Sequence, residues 1–519
     1  MKKRLLSLIL ALCIIISFSP STLAANLPEV DVRTEGLTPA QPQEAPAEKP
    51  RDAGAERRTI YVSNEGTEED DGATAETPTT LARATELANE GKKPVEIVVL
   101  GQVSVDTWTS PTVETTLRGG DENAELLFEY CSASDGAYNI SLADALTIDD
   151  IKFNCNYTDY FFSRYYGTYT IVANGYPLVI ASGVQCSYYT ADTIVDGKTC
   201  STSSCYVIGG GLDEDITGGT HVEIYTSLPL TYVYGGGVNG SVESNVYLHI
   251  ENCGKIQHVR AGGYANKKDA KVNGNITLDF INSVTDNPIY GGGYARSSYS
   301  AEVTGSICIN LSGLNNGFGR PIYGGGYGKN APVVGNIRFN ISNTKMNNNA
   351  AAIYGGGYNS DVTGDIFIHI KENSLISEET VWGGGTGDST ITGGVTITVD
   401  DSSEVIGEIR AGGNEGADVI GDVVITVSGG PQSACPTIFA TGKGEDKDNP
   451  AQVDGNVSIT LHGSRANVYT LDKFGEVTSD HAVTIILDDT DELSGAVRGD
   501  SKLGQHLYNY EKNTPTRTG

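Results

Sequence analysis

The sequence predicts an all-β chain wound as a parallel β-helix, a solenoid, with a short N-terminal capping helix. Three observations carry this expectation. The first is a repeat: an aliphatic residue, an aromatic residue or Arg, a glycine-rich run, a loop and an alternating strand recur over residues 206–490. Its clearest copies read Ile289-Tyr290-Gly291-Gly292-Gly293-Tyr294, Ile322-Tyr323-Gly324-Gly325-Gly326-Tyr327 and Ile353-Tyr354-Gly355-Gly356-Gly357-Tyr358. The place of the first glycine steps through positions 209, 235, 261, 291, 324, 355, 383, 411, 440 and 470, with Ala or Thr standing in at 261, 411, 440 and 470. A unit of that length is one supersecondary element, which cannot bury its own apolar face and must stack on its neighbours. The second observation is strict alternation. Ile276, Leu278 and Phe280 recur as Ile307, Ile309 and Leu311, as Ile337, Phe339 and Ile341, as Ile366, Ile368 and Ile370, and as Val395, Ile397 and Val399. Every second side chain therefore faces one core, while Thr277, Asp279, Asn310, Arg338, Asn340, His369 and Thr398 belong on the wet face. The third is bulk: 519 residues, 39% hydrophobic and with 64 Gly, favour an elongated repeat over one globule.

Taken in order, residues 1–24 read as a secretory signal peptide. Lys2, Lys3 and Arg4 precede an apolar run over 5–18, and Thr22-Leu23-Ala24 supplies the small residues of a cleavage site. The chain is thus expected to be secreted, extracellular or at the cell surface. No later stretch reaches the roughly 20 apolar residues of a spanning helix, so no transmembrane segment is expected in the mature chain. Residues 25–57, rich in Pro, Ala and Glu, read as a disordered spacer. Residues 58–205 read as an N-terminal cap and the first, irregular rungs. There Thr77 is the expected N-cap with Pro78 at the first helical position; Leu81, Ala84 and Ala88 share one face, and Gly91 closes the helix. Residues 206–490 form the glycine-rich repeat, its turns (Val272-Asn273-Gly274-Asn275, Val362-Thr363-Gly364-Asp365) rich in residues that tolerate positive φ. Residues 491–519 read as a tail or short cap.

The opening segment, Ile60-Tyr61-Val62-Ser63, the loop ending Asp71-Gly72, Pro78, 81–88 and Val98-Val99-Leu100, resembles that of right-handed parallel β-helix proteins of the pectate-lyase-like family. The stretch Leu146-Thr147-Ile148-Asp149-Asp150-Ile151-Lys152-Phe153 is similar to an ordinary rung of that family. The resemblance implies the architecture of residues 59–490 and a secreted bacterial surface protein. Family enzymes cleave acidic polysaccharides with clustered Asp, calcium and a basic residue, or hydrolyse with Asp on successive rungs.

The glycine strand is the candidate binding site. With Ile289 inward, Tyr290, Gly292 and Tyr294 face outward, and stacking makes two outer columns beside a glycine trough. The first holds Tyr234, Arg260, Tyr290, Tyr323, Tyr354, Trp382, Arg410, Phe439 and Tyr469; the second includes Tyr264, Tyr294, Tyr327 and Tyr358. Aromatic faces beside a flat floor suit sugar rings. Alternatively, like side chains in register stack to stabilise their strands, with Gly present because backbone approaches closely. Seven aromatic residues between Tyr157 and Tyr169 are a further surface, or else core.

Catalytic residues are not expected. Arg260 and Arg410 lie five repeats apart with no carboxylate column beside them, and glycoside hydrolysis needs a carboxylate pair. The seven His fall singly, each read as a surface residue. Calcium is a possible ligand of the acidic runs Glu68-Glu69-Asp70-Asp71, Asp213-Glu214-Asp215 and Asp488-Asp489-Thr490-Asp491, which lack an EF-hand spacing and read otherwise as solvated loops; no other cofactor is implied. Export permits disulfides, Cys200 with Cys205 being the most local pair. Arg498-Gly499-Asp500 matches a short integrin-binding tripeptide. The formal charge of −30, about −33 once the signal peptide is removed, excludes nucleic acid and anionic membranes as partners. The reading that results is a non-catalytic surface or matrix adhesin for an extracellular glycan or a host or cell-surface protein. The alternatives are a polysaccharide lyase or glycoside hydrolase with its site in the irregular rungs, and a structural spacer rod.

Overall fold

The structure, a computed structural model, describes residues 57–487 apart from 129–137, 155–167, most of 187–203 and several shorter loop stretches. The expectations for residues 1–24, 25–56 and 491–519, for the aromatic residues at 157–166, for Cys200 and for Arg498-Gly499-Asp500 fall outside the described residues.

The chain winds as a parallel β-solenoid. A long sheet of fifteen strands runs from Arg58–Thr67 through Val95–Val99 to Val483–Leu487, with each strand parallel to the strand of the next turn. A second sheet of thirteen strands runs from Trp108–Thr109 to Asn467–Tyr469, and a third of six from Val333–Val334 to Gly475–Val477. Single bridges at Val303, Val272, Val242 and Ile216 carry the line of the third sheet back through earlier turns.

The alternating residues occupy the places the sequence predicts. Ile337, Phe339 and Ile341 pair in register with Ile366, Ile368 and Ile370, and all six are fully buried. They belong to one apolar cluster that extends from Ile60 to Leu487. Each such side chain contributes about 1.5–3 kcal/mol over leaving it exposed, repeated at every rung. Tyr169, the one described member of the second aromatic concentration whose side chain is placed, is core: it stacks on Phe128 at 4.6 Å.

The turns meet their expected role in part: Gly364 has positive φ, at 151°. Asn273, Asn275 and Asp365 do not adopt positive φ. Instead, side-chain oxygens before the long strands accept the backbone N–H of the next rung. Asn275 N–H donates to Asn245 Oδ1 at 2.8 Å, Ser306 N–H to Asn275 Oδ1 at 2.8 Å, Asp365 N–H to Asn336 Oδ1 at 2.8 Å and Gly394 N–H to Asp365 Oδ1 at 2.8 Å. At the other end of the strands, Asn252, Asn282, Gly313, Asn343 and Glu372 also have positive φ. Asn is favoured there because its short polar side chain lowers the cost of that conformation.

The helix spans Leu81–Gly91, beginning three residues later than the sequence suggests. Thr80 is the cap, accepting Arg83 N–H at 3.1 Å, because Thr79 is still held in extended bridges to Val62 and Thr67. Lys92, with φ 51°, closes the helix by donating its N–H to the Ala88 carbonyl at 3.2 Å. Leu81, Ala84, Leu87 and Ala88 are buried in the common core.

Candidate functional site

Strand register assembles both aromatic columns. Tyr234, Arg260, Tyr290, Tyr323, Tyr354, Trp382, Arg410, Phe439 and Tyr469 pair in that order along the second sheet. Tyr264, Tyr294, Tyr327 and Tyr358 are joined by bridges just beyond the glycines. Rings stack within each column, Tyr290 on Tyr323 at 5.2 Å, Tyr323 on Tyr354 at 4.8 Å and Tyr294 on Tyr327 at 4.2 Å, all nearly parallel, while Tyr264 meets Tyr294 edge to face at 5.8 Å and 68°.

The flat trough expected between the columns does not form. The glycine run is a corner, and it swings the second column round to meet the first edge to face, with Tyr290 against Tyr294 at 5.5 Å and 75°, and Tyr323 against Tyr358 at 5.9 Å and 88°. Tyr290, Tyr323, Tyr354 and Trp382 are left only 8, 5, 8 and 5% exposed, in a cluster of their own outside the main core. Tyr234 and Tyr294 are buried as well. The glycines serve the corner itself. A Cβ on Gly291 would lie 2.5 Å from the Gly324 carbonyl oxygen, one on Gly292 would lie 2.7 Å from Gly326 N, and one on Gly293 would lie 2.0 Å from the Ala301 oxygen. Backbone packs directly on backbone, which only Gly permits. The ring faces are therefore spent on one another, and the half-buried edges of Tyr264, Tyr327 and Tyr358 are what the columns present to a ligand.

The two Arg in the first column are buried alike, at 4% exposure, and partnered differently. Arg410 lies between Trp382 and Phe439 and makes ion pairs with Glu408 at 2.8 Å and Asp472 at 2.6 Å; these are two single carboxylates, since Glu408 pairs in register with Thr380 and Thr437 on the neighbouring rungs. Asp472 arrives from the next turn but one, a proximity that sequence spacing does not reveal. Arg260 has its guanidinium 3.5 Å from the Tyr294 ring centroid and within 5.4 Å of Tyr232, Tyr234 and Tyr264, and donates to Tyr234 Oη at 3.1 Å.

A second constellation was not legible in the sequence. On the outer face of the long sheet, register places Glu223, His249, Asp279, Asn310 and Asn340 on five successive rungs. His221 and Tyr225 contact Glu223 at 2.6 and 2.8 Å, Tyr247 donates to Asp279 at 2.9 Å, and His249 sits between Asp279 at 3.4 Å and Glu251 at 3.2 Å. Asn310 donates to Asp279 and Asn340 to Asn310. His221 and His249 are thus half-buried members of a network rather than isolated surface residues. The hydrogen bond from His221 holds the Glu223 carboxyl below its usual range against the opposing effect of burial. Burial is the largest single effect and works against charge at both His249 and Asp279, yet their partners together outweigh it: Asp279 and Glu251 raise the imidazole, and His249, Asn310 and Tyr247 lower the carboxyl. A sequence reader could have found the row only by aligning the rungs, since its members lie 26 to 31 residues apart.

The acidic loop at 213–215 is used within the solenoid: the Asp213 carboxylate accepts from the Asn239 amide at 2.9 Å and Asp215 from Ser241 N–H at 2.7 Å. Among the described residues, no three His, Cys, Asp or Glu side chains converge as metal ligands. No helix among them is long and apolar enough to cross a membrane. Cys253 and Cys308 are free thiols. Compared with known families, curated proteins and solved structures, the chain matches no family model, no curated protein and no solved structure.

Proposed function

We propose that this chain is a secreted, non-catalytic β-helix protein of pectate-lyase-like ancestry that acts as a surface or matrix adhesin for an extended glycan. The observation that supports the reading is the line of half-buried tyrosine edges at Tyr264, Tyr327 and Tyr358, set one per rung except at the buried Tyr294. A linear glycan is itself periodic, so one modest contact can recur along the axis and the contacts reinforce one another. Because the ring faces are already stacked, recognition falls to phenol hydroxyls and ring rims rather than to a stacking platform. The test is a glycan array probed with the chain lacking residues 1–24, beside the double variant Tyr327→Phe with Tyr358→Phe. That variant keeps both rings and removes two hydroxyls, so binding should weaken about tenfold, with the melting curve unchanged. A parent that binds no glycan would leave the spacer rod as the better reading.

A glycoside hydrolase is the second reading, and the row Glu223, His249, Asp279 is what favours it. The two carboxylates stand two rungs apart, about 9–10 Å at the backbone, close to the roughly 6.5–9.5 Å of inverting enzymes. Against it, both carboxyls are lowered, so neither is kept protonated as the general acid, and His249 fills the space a sugar and water would need. Depolymerisation of a polysaccharide by the parent, abolished in Asp279→Asn, would reverse the ranking.

A further inference from the structure

We propose that Arg260 and Arg296, set about the ring of Tyr294, form a subsite for one anionic group, a carboxylate or a sulfate, carried on a sugar. The proposal rests on the glycan-binding reading above and names the class of glycan.

A guanidinium stays charged at any working pH, and burying one is costly unless an opposite charge or a full set of acceptors meets it. Arg410 shows how this solenoid neutralises an Arg at that column position: Glu408, two residues earlier in the same strand, and Asp472 from a later turn both bind it. At Arg260 the corresponding earlier residue is His258. Burial first, then Arg260 and Arg296, hold that imidazole down to about 4, so it is neutral at physiological pH and leaves the positive charge uncompensated. Among the described residues no carboxylate lies within ion-pair distance of Arg260 or Arg296, although the chain carries a net charge of −30. Arg260 Nε is buried with no hydrogen-bond partner.

The two guanidiniums converge on one ring. Tyr327 of the following rung stacks on Tyr294 at 4.2 Å, and Arg260 comes from the preceding rung to 3.5 Å from its centroid. Arg296, exposed in the loop that follows, donates from Nε to Tyr294 Oη at 3.2 Å and lies 5.5 Å from the same centroid. Contact with four tyrosine rings fixes the Arg260 fork before any ligand arrives, and a fixed fork suits bidentate acceptance by a carboxylate or sulfate. Tyr264, half-buried and with its ring centroid 5.0 Å from the Arg260 guanidinium carbon, places the subsite at the start of the line of tyrosine edges. Overall charge limits the class further. A dense polyanion is repelled by the chain as a whole, whereas a largely neutral glycan with isolated acidic groups meets the local positive field at little cost.

The experiment uses the chain lacking residues 1–24 on an array of matched pairs, each neutral glycan beside the same glycan bearing one sialic acid or one sulfate ester. The bound pairs should favour the acidic member about tenfold or more, with the sialylated and sulfated arms showing which anion fits better. Arg296→Gln, at an exposed position, should erase that preference without altering the melting curve, and Arg260→Lys should reduce it. Arg410→Gln should lower thermal stability and leave the preference intact. Neutral and acidic members bound equally, or a preference that survives Arg296→Gln and Arg260→Lys together, overturns the subsite while the adhesin reading stands. Absence of binding to every glycan overturns both.

Discussion

The aromatic corner and the outer row of the long sheet are built on the same rungs and the same parallel register, yet they cohere by opposite means. In the corner, Tyr290, Tyr323 and Tyr354 repeat one residue, because neutral planar rings stack on copies of themselves. In the row, Glu223, His249, Asp279, Asn310 and Asn340 change at nearly every rung. Like charges directly opposite one another on neighbouring strands repel, so a charged column must alternate acid with base or give way to amides. Repetition seals a surface, whereas alternation leaves a polar network that responds to pH.

The largest effects should come from the corner itself. In Gly324→Ala the new Cβ would lie 2.4 Å from the Gly355 carbonyl oxygen and 2.6 Å from Ile337, and the loss measured by urea unfolding should be about 3 kcal/mol. Gly218→Ala, where a Cβ meets nothing within 4 Å, is the control and should be nearly silent. Equal midpoints in the two variants would show that the corner is not packed backbone on backbone. Next, Tyr323→Ala removes a ring stacked on both sides and should cost about 3 kcal/mol, against about 1 kcal/mol for Asn340→Ala, which removes hydrogen bonds in the row. Similar losses would mean that ring stacking adds nothing beyond what the row's hydrogen bonds supply.

The row should reveal itself in pH dependence, at about 1–2 kcal/mol. Since His249 titrates higher folded than unfolded, its contribution is complete below the ordinary value of 6.5 and fades as pH rises through the raised folded value. The gap in melting temperature between the parent and His249→Gln should therefore be widest in mild acid and close toward alkaline pH. Asp279 has the opposite sign: its contribution is present above the ordinary 3.8 and is lost as pH falls through the lowered folded value, so Asp279→Asn should differ most from the parent near neutrality. Gaps that do not move with pH in either variant would remove the charge network from the account. The smallest effect is expected at Thr398, which lies in register beside His369 on the same outer face. Thr398→Asp continues the alternation of acid and base and should change stability by no more than about 0.5 kcal/mol; a loss of several kcal/mol would mean that this face is buried.

Much of this molecule is local in origin and was legible as such. Period-two alternation in Ile366, Ile368 and Ile370 marks a strand with one buried face, and the recurring motif places residues such as Tyr290, Tyr323 and Tyr354 in one column whatever the length of the loops between, because each rung must pair in register to satisfy its backbone. The helix was legible too, though its start was not, since Thr79 is claimed by a bridge to Val62 that only the folded chain makes. Tertiary structure decided what the columns could do. The angle taken at Gly291, Gly292 and Gly293 is a matter of how closely backbone can approach backbone across rungs, and it turned two open columns into a closed one. It likewise decided that Glu223, His249 and Asp279 would meet, and that Arg410 would find Asp472 while Arg260 found only rings. Composition and periodicity set which side chains face outward, but charge, hydrogen bonding and stacking act over a few ångströms, and the winding of the rungs alone brings residues so distant in the chain within that range.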